Sequence, residues 1–165
     1  MHREAYSHFV SRGRSMRLGV RRTLAAAALG AAAASCADFS GTEDPAFGLP
    51  DVEVAQPSFA ADVQPILTKR CVVGGCHTLG VAQGGLALDA SVAYDELVGA
   101  PSTSSGNAYL RVAPGNSADS WLIRRVRADP ALRNGLPRMP LATLPLTVNQ
   151  INTIANWIDQ GAQRN

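Results

Sequence analysis

The chain has 165 residues, 46% of them hydrophobic, and a formal net charge of +2. That length accommodates one domain with accessories, and the composition is neither that of a disordered polymer nor that of a strongly basic protein. Lys and Arg number 15 against 13 Asp and Glu, but six of the basic residues and only Glu4 among the acids precede Cys36. The remainder is therefore net acidic, and the balance gives no support for nucleic-acid binding.

The N-terminal segment reads as an export signal. Arg17, Arg21 and Arg22 precede Thr23 to Ala34 (TLAAAALGAAAA), an apolar run of mostly small residues. Such a run is too short to span a bilayer comfortably and suits the hydrophobic region of a signal peptide. It ends in A-A-S-C, which resembles a bacterial lipobox with Cys36 as the lipidated residue; cleavage near Ala34 is the plainer alternative. The expectation is a signal peptide over 1–35 and an exported protein on the periplasmic side of the cell envelope, anchored to the membrane by lipid on Cys36. Residues 36–56, acidic and punctuated by Gly and Pro, are expected to be a flexible tether, and 57–165 the folded domain.

Four helices are predicted within that domain. Ser58 is placed to cap the first, in which Phe59, Val63, Ile66 and Leu67 share a face and Pro65 imposes a kink or a late start. The second covers D-A-S-V-A-Y-D-E-L-V-G, with Tyr94, Leu97 and Val98 on one side and Gly99 as the stop. Ser/Gly/Pro content between Gly99 and Ala108 predicts a mobile loop. The third covers S-A-D-S-W-L-I-R-R-V, capped by Ser117 and ended before Pro130. In the fourth, Thr147 and Gln150 form a capping box, Ile151, Ile154, Ala155 and Ile158 form the buried stripe, and Gly161 stops the helix. Strand signals are weak: Leu86 and Leu88 alternate only briefly after Gly84-Gly85.

The chemistry-bearing stretch lies between the first two helices: C-V-V-G-G-C-H, Cys71 to His77. Two thiols followed at once by an imidazole is the arrangement that attaches haem covalently, although the usual motif has two residues between the cysteines and this one has four. The Cys76-His77 adjacency is the strict half, because it sets the imidazole over the iron once the thiol is tethered. The extra length is accommodated if Gly74 and Gly75 fold it into a compact bulge. His2 and His8, with Met1 and Met16, leave with the signal segment, so the mature domain keeps one His, His77, and one Met, Met139, in the Pro-flanked L-P-R-M-P. That order suits His/Met ligation of a single haem from opposite faces. Two other readings stand beside it: a Cys71–Cys76 disulfide stapling a turn in an exported, haem-free binding or scaffold module, and a zinc site short of a fourth ligand. Trp121 and Trp157 read as core aromatics, and Arg111, Arg124, Arg125 and Arg138 as solvated cations or partners of haem propionates. With one histidine, no Ser/His/Asp set can form.

The ordered combination of Asp62-Val63-Gln64-Pro65-Ile66-Leu67, the C…CH segment, Gly84-Gly85-Leu86-Ala87-Leu88, Pro114-Gly115-Asn116-Ser117 with Ser120-Trp121-Leu122, Arg138-Met139-Pro140 and Trp157-Ile158-Asp159-Gln160-Gly161-Ala162 resembles the c-type cytochrome domains of the planctomycete-cytochrome-C-like kind. The resemblance covers about the whole predicted domain and departs from the family at Val72-Val73-Gly74-Gly75. It implies an all-α, cytochrome c-like single domain with long irregular loops. It further implies one covalent haem c, with thioethers from Cys71 and Cys76, His77 as proximal iron ligand and Met139 as distal ligand. The function implied is that of a lipid-anchored electron carrier, not an enzyme, exchanging electrons with redox proteins of the cell envelope.

Overall fold

The structure, a computed structural model, describes residues 43–44 and 48–165 apart from Ala142. The expected signal peptide and Cys36 lie outside the described residues. The described chain is mainly helical, as expected for an all-α class, with one two-residue ladder in which β1 (Glu43–Asp44) runs antiparallel to β2 (Leu49–Pro50). No described helix is long and apolar enough to cross a membrane.

The first helix begins where Ser58 predicts: its hydroxyl accepts the Ala61 N–H at 3.0 Å. Pro65 neither stops the helix nor delays it. A short α-helical segment, α1 (Gln64–Leu67), is flanked by two wider turns, Phe59–Val63 and Thr68–Val72. Such i→i+5 winding shifts the hydrogen-bond ladder around a residue that cannot donate. The predicted face is intact, and Phe59, Val63, Ile66 and Leu67 are all buried.

The second helix is α2 (Ala93–Leu97), shorter than its apolar pattern, with Val98 extended at its end and Gly99 at φ 72° turning the chain. The loop beyond it, expected to be mobile, is pinned. The Ser102 N–H donates to the Tyr109 carbonyl, Thr103 Oγ1 donates to the Gly84 carbonyl, and Ser104 Oγ receives the Trp121 indole N–H at 2.7 Å. Composition marks a turn here but is blind to the side chains that fasten it.

The third helix, α3 (Trp121–Val126), starts later than Ser117 predicts. Ser117 instead donates its N–H and its hydroxyl to the two carboxylate oxygens of Asp159, at 2.7 and 2.9 Å, joining this segment to the last helix. That helix, α4 (Val148–Asp159), matches its prediction closely. Thr147 and Gln150 cap each other reciprocally, and Ile151, Ile154, Ala155 and Ile158 are buried together with Trp157. Each fully buried aliphatic side chain contributes about 1.5–3 kcal/mol, so this stripe outweighs the cap, worth about 1 kcal/mol, as the source of the helix's stability.

Around Trp157 the core is aromatic. Phe59 lies 5.1 Å and Tyr94 6.3 Å from its ring, and its indole N–H donates to the Gln163 carbonyl. Trp121 is buried as well and stacks on Tyr109 at 5.5 Å. Both tryptophans are thus core aromatics with satisfied donors.

The tether expected over 36–56 requires correction at its C-terminal end. Thr147 Oγ1 donates to Asp51, Asn149 to the Asp51 carbonyl, Asn156 to Glu53 and the Val54 carbonyl, and Gln160 to the Ala55 carbonyl. The Val54 N–H returns a bond to Thr153 Oγ1. The polar edge of α4 therefore holds 51–55 as a strap, a pairing of Asn, Thr and Gln side chains with main-chain and carboxylate groups that has no periodic signature.

Candidate haem-attachment site

The wide turn Thr68–Val72 delivers Cys71 to the edge of the core, where it packs beside Val72 against the buried cluster. A single tight turn, Val73–Gly75, then carries the two residues that exceed the usual spacing. Gly74 and Gly75 both take left-handed backbone, φ 68° and 75°, which costs glycine nothing and any other residue about 1 kcal/mol or more. The chain consequently doubles back, and the His77 N–H donates to the Cys71 carbonyl at 3.3 Å. The expected compact bulge is present, closed on itself by main-chain bonding.

His77 is held at three points. Besides its N–H, its carbonyl accepts from the Leu88 N–H at 2.7 Å, and its ring Nδ1 lies 3.0 Å from the Leu86 carbonyl. A carbonyl oxygen only accepts, so Nδ1 carries the proton and the neutral ring keeps its lone pair on Nε2. Nε2 has no hydrogen bond among the described residues. A metal-binding imidazole has this arrangement: one nitrogen donating to a carbonyl, which fixes the ring and raises the basicity of the other.

The segment that supplies the Leu86 carbonyl is itself anchored. Three successive carbonyls are engaged by three different parts of the chain: Gly84 by Thr103 Oγ1 at 3.0 Å, Gly85 by Arg111 Nη2 at 2.7 Å, and Leu86 by the imidazole. Arg111 is fixed in turn by an ion pair with Glu96 at 2.7 Å.

The two thiols differ. Both are free, and Cys76 is exposed while Cys71 is partly buried. Loss of hydration pushes the Cys71 thiol up to about 12, only partly offset by the charge of Arg70, so it stays protonated near neutrality. Met139 stands on a distant segment between Arg138 and Pro140, partly buried against the same core cluster as Cys71 and Leu86. Its N–H donates to the Arg125 carbonyl at 2.8 Å, which fastens the loop to α3. Arg138 reinforces the attachment by donating to the Val126 carbonyl at 2.6 Å.

Cys71, Cys76 and His77 thus follow one another along one closed turn, and Met139, on another loop, packs against the same core cluster as Cys71. Among the described residues no three His, Cys, Asp or Glu side chains are grouped to hold a metal ion, which removes support from a zinc site. Iron in haem needs no such group, since the porphyrin supplies four ligands and the protein only axial ones; a ring-fixed imidazole, a thioether and two free thiols fit that requirement. A cavity of about 60 Å³ under the strap, lined by Leu49, Val54, Ile66 and Thr153 among others, involves none of these residues. Sequence reasoning had no means of finding Leu86, whose contribution is a backbone oxygen. Comparison of the chain with protein-family models, with curated proteins and with solved structures found no match.

Proposed function

We propose that the chain is a single-haem c-type cytochrome that carries electrons between redox proteins of the cell envelope, lipid-anchored through Cys36. One observation carries the reading: the domain's sole histidine has its main chain and Nδ1 fully engaged and its Nε2 left over, immediately after a bulge that closes on Cys71. When bound, the haem would supply a one-electron couple, and transfer through its exposed edge needs no bond-making group from the protein. The chain's own part is attachment and tuning. Cys71 and Cys76 form the thioethers, His77 takes the proximal position, and Met139, soft and uncharged, takes the distal one and favours the reduced metal.

The test is expression with a c-type maturation system, followed by denaturation, a gel peroxidase stain and intact mass. The expected result is one haem retained covalently, lost together with its spectrum in His77→Ala. Colourless protein lighter by two hydrogens would overturn the reading and leave a disulfide-stapled helical shell. In the loaded protein, Met139→Ala is expected to abolish the long-wavelength band of sulfur-ligated ferric iron; an unchanged ferric spectrum would remove Met139 from the ligand set.

A further inference from the structure

Gln64 and Arg125 are both buried, and each keeps one polar atom without a partner among the described residues, Oε1 in the glutamine and Nη1 in the arginine. What singles out Gln64 is the other half of its amide. It opens α1, and its Nε2 donates to the Leu88 carbonyl at 3.0 Å and to Thr68 Oγ1 at 3.1 Å. A carbonyl only accepts, so the amide nitrogen must face Leu88, and the oxygen is turned to where no donor meets it. An unmet buried acceptor is costly, and such groups are rare in folded chains. A glutamine that tolerates one is kept for what its two N–H groups hold.

They hold the two segments that carry the haem-attachment site. Thr68 opens the wide turn Thr68–Val72, which delivers Cys71. Leu88 stands between Gln64 and His77: its oxygen receives the amide, and its N–H donates to the His77 carbonyl at 2.7 Å. Two residues earlier the Leu86 carbonyl meets the ring at Nδ1. Thr103 and Arg111 grip this segment at Gly84 and Gly85, whereas Gln64 grips its buried end, where Leu88 is 1% exposed.

We propose that Gln64 is the positioning residue of His77. By fixing the Leu88 carbonyl it keeps the Leu86 oxygen opposite Nδ1, and so keeps the ring's lone pair on Nε2, the nitrogen offered to iron. The inference rests on the electron-carrier reading and adds to it a residue that acts only through the main chain of 86–88. A bond from Nδ1–H to a carbonyl raises the basicity of Nε2, so Gln64 also sets how strongly the ring donates to the metal.

The tautomer of His77 in haem-free protein, read from ring nitrogen shifts, tests it without reference to loading. The full chain is made as wild type, Gln64→Met, Gln64→Glu and Thr147→Ala, with the ring signals assigned against His77→Ala. Wild type is expected to carry the proton on Nδ1. Gln64→Met keeps the volume and cannot donate, and should shift the tautomer ratio about fivefold toward Nε2–H, the worth of one hydrogen bond. Gln64→Glu, of the same shape, gives the same reading where Gln64→Met does not fold. Thr147→Ala loses a helix cap elsewhere and should leave the ratio unchanged. In loaded protein Gln64→Met should move the reduction equilibrium several-fold toward the reduced form, because a less basic imidazole stabilises the oxidised metal less. Gln64 variants that lower Tm yet keep the wild-type ratio would make the residue merely structural and overturn the inference, with the carrier reading intact. Wild type that takes up no haem would bring down the carrier reading, and with it the purpose assigned to Gln64, whatever the tautomer.

Discussion

The side of the domain built on α4 and the side built on residues 71–88 with Arg125 and Met139 handle their polar groups in opposite ways. On α4 the accounts close: the capping box satisfies the helix start, Trp157 donates to Gln163, Ser117 to Asp159, and the strap over 51–55 takes up the Asn and Gln edge. On the other side main-chain bonds close a bulge and fix a ring, yet the side chains are left with capacity to spare: Nε2 of His77, two free thiols and Nη1 of Arg125. The groups whose bonding closes and the groups left with capacity to spare thus lie on different elements around one core, the first where local rules agree, the second where they are left incomplete.

Substitutions should separate the two sides by size of effect. Trp157→Ala, which empties the centre of the aromatic cluster with Phe59 and Tyr94, should cost about 3–5 kcal/mol in chemical denaturation, with or without haem. Thr147→Ala removes the cap and the bond to Asp51 together and should cost about 1–2 kcal/mol. His77→Ala in haem-free protein should cost only about 1 kcal/mol, the worth of its bond to Leu86, despite abolishing the proposed loaded state. A cost for His77→Ala comparable to that of Trp157→Ala would break the comparison, because the ring would then be a core element.

The thiols give the smallest and sharpest contrast. In native haem-free protein at pH 8, iodoacetamide should modify Cys76 and spare Cys71, whose thiol is held protonated. The folded pKa of Cys71 lies above the unfolded value, so the unfolded chain releases this proton first. Its contribution to stability is complete below about pH 9 and falls as pH rises toward about 12. Urea midpoints measured across that range should decline more steeply in wild type than in Cys71→Ala, and parallel curves would show that the thiol is not shielded.

α4 was legible residue by residue because a capping box, a 3.6-residue stripe and a stop glycine act locally and agree. The first helix was legible in its cap and its buried face but not in its winding, since the accommodation of Pro65 by wide turns is a property of the ladder. Ser117 misled because a serine before an apolar run caps a helix unless a better acceptor competes, and here Asp159, far along the chain, does. The bulge was visible in Gly74-Gly75; the Leu86 carbonyl and the isolation of Arg125 were not. Both depend on which segments meet, and composition carries no record of that.

The row of three carbonyls at Gly84, Gly85 and Leu86 has a further consequence. It works as a short lever whose outer grips are Thr103 and Arg111, the latter 26 positions from the oxygen it holds, and whose inner end steers the imidazole. The oxygen that fixes His77 therefore belongs to a segment whose place is set by the surface turn and by the Glu96 pair as well as by the ring's own neighbours.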